Sequence, residues 1–196
     1  MKLIQYKKEK GIALPIALFV LVAILLAGAA LIRSNELAVN VAGDLASRDL
    51  VYKANDAAAA NAMNWLTTNS TNLNSDIPSQ GYYSAYPATT PSYLQPNNAV
   101  WNNALTLPAD SFGNISSYLI YRMCSQPNTP YNGANSGIQN VCAISMSNQT
   151  SNSGNSSGYN SFSFSGRPQV YFQIITKTVG AKGATDITAS TVKLGV

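Results

Sequence analysis

Residues 11–32, GIALPIALFVLVAILLAGAALI, carry no charge and almost no polar group, and no other stretch restricts this chain so severely. As a helix at ~1.5 Å per residue, a run of that length spans about 33 Å, enough to cross the hydrocarbon core of a bilayer. Lys2, Lys7, Lys8 and Lys10 precede it. Positive charge on that side leaves the N-terminus in the cytoplasm and sends the remainder across the membrane.

Three readings of the run compete. It can be a secretory signal, with Ala27, Gly28, Ala29 and Ala30 as the small-residue cleavage site. It can be a single-pass anchor. Or a short basic leader, residues 1–11, is removed on the cytoplasmic side between Gly11 and Ile12, and the apolar stretch 12–32 stays in the mature chain. The residues beyond the run favour the third reading. Instead of a break and a new domain, the helical pattern continues through residues 33–66, with Leu37, Val41, Leu45, Tyr52, Ala59, Met63 and Leu66 recurring at spacings of one helical face. Arg33 with Glu36, Asp44 with Arg48 and Asp49 with Lys53 stand at helical distances and mark a solvated face. No proline interrupts between Leu31 and Leu66. The pattern predicts one helix about 80 Å long, apolar in its first half and amphipathic in its second. With Ile12 as the first residue, Pro15 lies in the first turn, where proline is tolerated.

The rest of the composition narrows the chemistry. Charged residues are only 10% of the chain and histidine is absent. No Ser-His-Asp or Cys-His site can therefore be built, and the commonest metal ligand is missing. No ligand set for a metal and no cofactor motif is expected, and no catalytic residue is singled out. The net charge of +4 is concentrated before residue 11, where four lysines face Glu9 alone. That leaves no basic patch of the kind a nucleic acid requires. Cys124 and Cys142 are the only cysteines. In an exported chain an even count predicts a disulfide, which closes a loop and contributes roughly 3 kcal/mol; two unrelated buried thiols are the alternative.

Residues 67–196 form the globular part. Residues 67–116 read as a loop-rich bridge punctuated by Pro78, Pro87, Pro91, Pro96 and Pro108, with Tyr82, Tyr83, Tyr86, Tyr93 and Trp101 interleaved. These aromatics either pin the bridge against helix and sheet or bind sugars or partner proteins. From residue 117 the period changes to two. Strands are expected over 118–123, 141–146, 169–175 and 186–192, with Val170, Phe172 and Ile174 facing the helix. Residues 179–186, VGAKGATD, form the turn of a C-terminal hairpin, and residues 147–158 are low in complexity. A long helix followed by strands gives an α+β fold, with the helix packed on a C-terminal antiparallel β-sheet.

The run from Lys10 to Leu66 resembles the N-terminal region of PilX-type minor pilins of type IV pili. The resemblance lies in the Gly11 junction, Arg33-Ser34 closing the apolar stretch, Asn40-Val41-Ala42-Gly43-Asp44 with Arg48-Asp49, and the alanine-rich turn ending at Trp65-Leu66. It implies cleavage by prepilin peptidase between Gly11 and Ile12, N-methylation of Ile12, and a pilin-like fold. It also implies residence in the bacterial inner membrane, contact there with the bilayer and the pilus assembly platform, and then packing with other minor pilins and the major pilin at the cell surface. Major pilins carry a glutamate at the fifth mature position, where this chain has Ile16. A carboxylate there is costly in lipid unless paired. Its absence implies a subunit that starts a filament and sits at its tip. A minor pseudopilin of type II secretion and a membrane-anchored adhesin using Tyr82, Tyr83 and Tyr86 are the alternatives.

Overall fold

The computed structural model describes residues 13–88, 93–146 and 168–195. Tertiary contacts divide the chain into two units, Met1–Ala46 and Ser47–Val196. One helix, α1, runs without a break over Ala13–Thr68. It stops where side chains begin to compete for its carbonyls. Thr67 and Thr68 Oγ1 both donate to Asn64 O, at 2.9 and 2.8 Å, and Asn69 Nδ2 donates to Trp65 O at 2.8 Å.

The strands are β1 (Tyr82–Tyr83), β2 (Leu105–Thr106), β3 (Ile115–Arg122), β4 (Ala134–Asn135), β5 (Ile138–Gln139), β6 (Ile144–Met146), β7 (Pro168–Val179) and β8 (Thr185–Gly195). Among the described residues, β7 is the centre of a six-stranded sheet. β8 pairs with it along one edge over its full length, and β3 and β6 share the other edge end to end. β1 and β2 pair one after the other along the edge of β3 away from β7, while β4 and β5 form a separate small hairpin. The expected antiparallel sheet is in fact mixed, because β1 runs parallel to β3, with Tyr82 opposite Ile120 and Tyr83 opposite Tyr121. The long bridge between them makes this possible, since parallel neighbours need a crossover and a hairpin cannot supply one.

The expected C-terminal hairpin is present, and its strands are longer than the periodicity indicated. The turn between β7 and β8 is closed by Gly180 N donating to Ala184 O at 2.7 Å and Gly183 N donating to Gly180 O at 2.8 Å.

Helix and sheet meet through Val51, Asn55, Ala58, Ala62 and Leu66, all buried. The spacing of four, three, four and four is one helical face, and the alanines let the backbone approach the sheet closely. Opposite them lie Val170, Phe172 and Ile174 of β7, as expected, with Tyr118, Ile120 and Tyr82. The stripe shares Leu66 with the one read from periodicity and otherwise lies one residue before it, at Val51, Ala58 and Ala62 in place of Tyr52, Ala59 and Met63. Tyr52 is 53% exposed, and its place is taken by Val51 and Asn55. A buried asparagine hides the true face from an apolar pattern. The other face of the sheet is also covered, since Leu119, Tyr121 and Ile175 pack beneath Trp101, Tyr83, Tyr86, Tyr93 and Val100 of the bridge.

Candidate functional site

The apolar segment of α1 is exposed on all sides. Leu14, Phe19, Leu25 and Ile32 are 77, 77, 64 and 63% exposed, and Val22, the most shielded of the large side chains there, is still 46% exposed. An apolar surface of this extent is unstable in water and calls for lipid or protein around it. Within the described residues this is one helix long and apolar enough to cross a membrane. Ile16 lies on it, 58% exposed. Exposed apolar surface does not end with the uncharged run, for Leu37, Val41 and Leu45, spaced four apart, remain 66, 57 and 63% exposed. Gly11, Ile12 and the low-complexity stretch 147–158 lie outside the described residues.

Cys124 and Cys142 are joined by a disulfide. β3 leaves β7 just before Cys124, and β6 takes its place beside β7 just after Cys142. Met123 N still reaches Tyr171 O at 2.9 Å, and Tyr171 N reaches Ala143 O at 3.0 Å. The crosslink therefore sits at the joint between two strands that share one edge.

Beside this joint, on the sheet face away from α1, a cleft of 490 Å³ is lined by Asp76, Tyr83, Ala85, Tyr86, Pro87, Ala88, Tyr121, Ser125 and Pro127. The Tyr83 and Tyr121 rings are stacked, with centroids 5.4 Å apart and planes 28° apart, while Tyr86 meets Tyr121 edge-on at 5.9 Å and 69°. Burial raises the pKa of all three phenols. Asp76 adds to the rise at Tyr83, and Tyr93 adds to it at Tyr86.

The walls are held by a polar cluster around Ser84, which is fully buried. Ser84 N and Oγ both donate to Asp76 Oδ1 at 2.6 Å, and Asn128 N donates to Ser84 Oγ at 2.7 Å. Ser84 O accepts from Arg122 Nε at 2.8 Å. The Arg122 guanidinium, 1% exposed, also donates from Nη1 to Leu73 O at 3.0 Å and Asn74 Oδ1 at 3.2 Å, and from Nη2 to Thr129 O. One buried cation thus ties the bridge to the disulfide loop.

The structure divides the tyrosines that the sequence grouped together. Tyr82 is fully buried on the helix side, packed between Trp65 and Phe172, with its hydroxyl donating to Leu73 O at 2.6 Å. Tyr83, its neighbour in β1, faces the cleft. Adjacent residues in a strand point to opposite faces, so the two cannot share a surface. Trp101 and Tyr93 pin the bridge to the sheet, and Lys177 lies over the Trp101 ring at 4.7 Å. Sequence reasoning missed Asp76 and Tyr121 as partners of Tyr83 and Tyr86. Tyr121 carried only a strand signal, and no local pattern joins residue 76 to residue 121. Compared with family models, with curated proteins and with solved structures, the chain gives no match.

Proposed function

We propose that this protein is a minor type IV pilin that primes and joins pilus assembly, at the filament tip, by packing its N-terminal helix against the helices of other pilins. The observation that carries the reading is the exposed stripe of Leu37, Val41 and Leu45, which continues directly from an apolar segment exposed on all sides. Residues 13–32 are about 30 Å of helix, enough to fill the bilayer core, so the stripe beyond them is left for other protein surfaces. Lipid covers the first part before assembly and neighbouring helices cover both parts afterwards. Ala23, Ala27, Gly28 and Ala30 allow helices to approach closely in lipid. The missing carboxylate at Ile16 suits a subunit with no other ahead of it.

Two measurements test this. The N-terminus of the mature chain, read by mass spectrometry, is expected at Ile12 and N-methylated; a start near Ala30 or Leu31, or at Met1, would overturn the reading. Replacing Val41 and Leu45 together by glutamate is expected to leave the chain in the membrane and oxidised at Cys124–Cys142 while pilus number falls. Piliation at the wild-type level would remove the helix-packing mechanism.

A further inference from the structure

The cleft formed by Asp76, Tyr83, Tyr86, Tyr121, Ser125 and Pro127 has chemistry that the helix-packing role does not use. Its 490 Å³ lies in the range of sites that hold small molecules, about 300–1,000 Å³. Tyr121, 6% exposed, lines the cleft, and its hydroxyl makes no hydrogen bond to another described residue. Asp76 is similar. Its Oδ1 takes both bonds from Ser84, and its Oδ2 has no partner among the described residues. The cleft therefore presents a phenol donor and a carboxylate oxygen, Asp76 Oδ2, neither bonded to another described residue, beside stacked aromatic rings.

These features discriminate between ligand classes. A quaternary ammonium group needs aromatic faces converging around the cation, whereas Tyr83 and Tyr121 turn a face toward each other at 28°. A proline-rich peptide offers carbonyl acceptors for the phenol but few donors for the carboxylate. An acidic sugar is repelled by Asp76. Sugar hydroxyls both donate and accept, and a pyranose carries C–H faces that lie flat on aromatic carbon. We propose that this cleft binds a neutral saccharide, its ring against the tyrosine rings and its hydroxyls bonded to Tyr121 Oη and Asp76 Oδ2. The Tyr121 phenol, pushed up to about 12 by burial and by Tyr83 and Tyr86, is protonated and able to donate throughout the physiological range. The site belongs to the Ser47–Val196 unit and does not depend on how the N-terminal helix is used.

The test uses the full-length chain in a detergent without a sugar headgroup. Saturation-transfer difference NMR is recorded with the methyl glycosides of glucose, galactose, mannose and N-acetylglucosamine. Tetramethylammonium and a proline-rich peptide serve as competitors. At least one glycoside is expected to receive saturation. Tyr121→Phe, which keeps the ring and removes the hydroxyl, is expected to weaken its binding about tenfold. Tyr86→Ala is expected to do the same, with the thermal melt of both variants staying near wild type. A variant whose melt collapses is replaced by Asp76→Asn, which keeps an oxygen for Ser84 but removes the carboxylate acceptor at Oδ2, with the same expectation of weaker binding. No transfer to any glycoside, transfer indifferent to the substitutions, or binding of either competitor that glycosides do not displace would each overturn the assignment.

Discussion

Asn55 Nδ2 donates to Asp186 Oδ2 at 2.6 Å, joining α1 to the start of β8 across 131 residues of chain. The same amide nitrogen reaches Thr188 Oγ1 at 2.9 Å, and Asn55 Oδ1 accepts from Thr178 Oγ1 at 3.2 Å. Asn55 is 1% exposed, so the fit of helix to hairpin depends on one polar side chain that uses both ends of its amide. Replacing Asn55 by alanine removes the helix-side partner of both hairpin strands, leaving Thr178 with Ser116 Oγ at 2.8 Å and Asp186 with the longer bond from Thr188 Oγ1 at 3.3 Å, and is expected to cost about 2 kcal/mol. Denaturant unfolding of the detergent-solubilised chain measures this. A loss within about 0.5 kcal/mol, as at an ordinary surface site, would show that the network contributes little.

Arg122 carries the second polar anchor. Its bonds to Ser84 O, Leu73 O and Thr129 O are buried, and its bond to Asn74 Oδ1 is partly so. Arg122→Ala is expected to destabilise by about 3 kcal/mol, since Ser84 O then loses its donor, Leu73 O and Thr129 O keep only Tyr82 Oη and Asn140 Nδ2, and a large buried side chain is removed. Arg122→Lys keeps the charge but not the planar fork, and should recover only part of the loss. Full recovery by lysine in the same unfolding measurement would mean that charge, rather than geometry, is what the site requires.

The hairpin turn approaches the helix closely at Gly180. A Cβ there would stand 2.5 Å from Val51 Cγ2, and Val51 is itself buried and stiff. Gly180→Ala is expected to destabilise by about 1–3 kcal/mol through overpacking. Val51→Ala in the same chain removes the obstructing methyl, so the double variant should be more stable than the sum of the single losses predicts. Strict additivity in a double-mutant cycle would refute the close approach.

Alkaline pH tests the tyrosine cores. Burial, opposed by Arg122 and reinforced by Asp76, raises the Tyr82 pKa well above its usual value; Tyr121 is pushed up to about 12. In the unfolded chain both phenols lose their protons near pH ~10. The native state then holds more protons than the unfolded state. Stability is thus fully present below about pH 10 and falls as pH rises toward the folded values. Phenolate absorbance should show two late-titrating tyrosines whose ionisation accompanies unfolding, and Tyr82→Phe should flatten the decline. Stability that stays constant between about pH 10 and about pH 12 would contradict the linkage.

Much of the architecture was legible in local pattern. Twenty-two apolar residues in a row, a proline-free continuation and a later change of period to two specified a long helix followed by strands, because each element is encoded by neighbours along the chain. The alternation at Val170, Phe172 and Ile174 indicated which side of β7 meets the helix, and two cysteines allowed a single internal bridge. Tertiary structure decided what periodicity cannot carry. Asn55 joined the buried face because its partners stand on β7 and β8, and a polar residue reads as solvated until those partners are known. Tyr82 and Tyr83 parted to opposite faces of the sheet through the parallel pairing of β1 with β3, which depends on where the bridge returns. Asp76, Tyr83, Tyr86 and Tyr121 became one cleft only when strand pairing and the disulfide brought distant segments together. Spacing along a chain records which groups share an element; which elements share a surface is set by burial and hydrogen bonding between segments far apart in sequence.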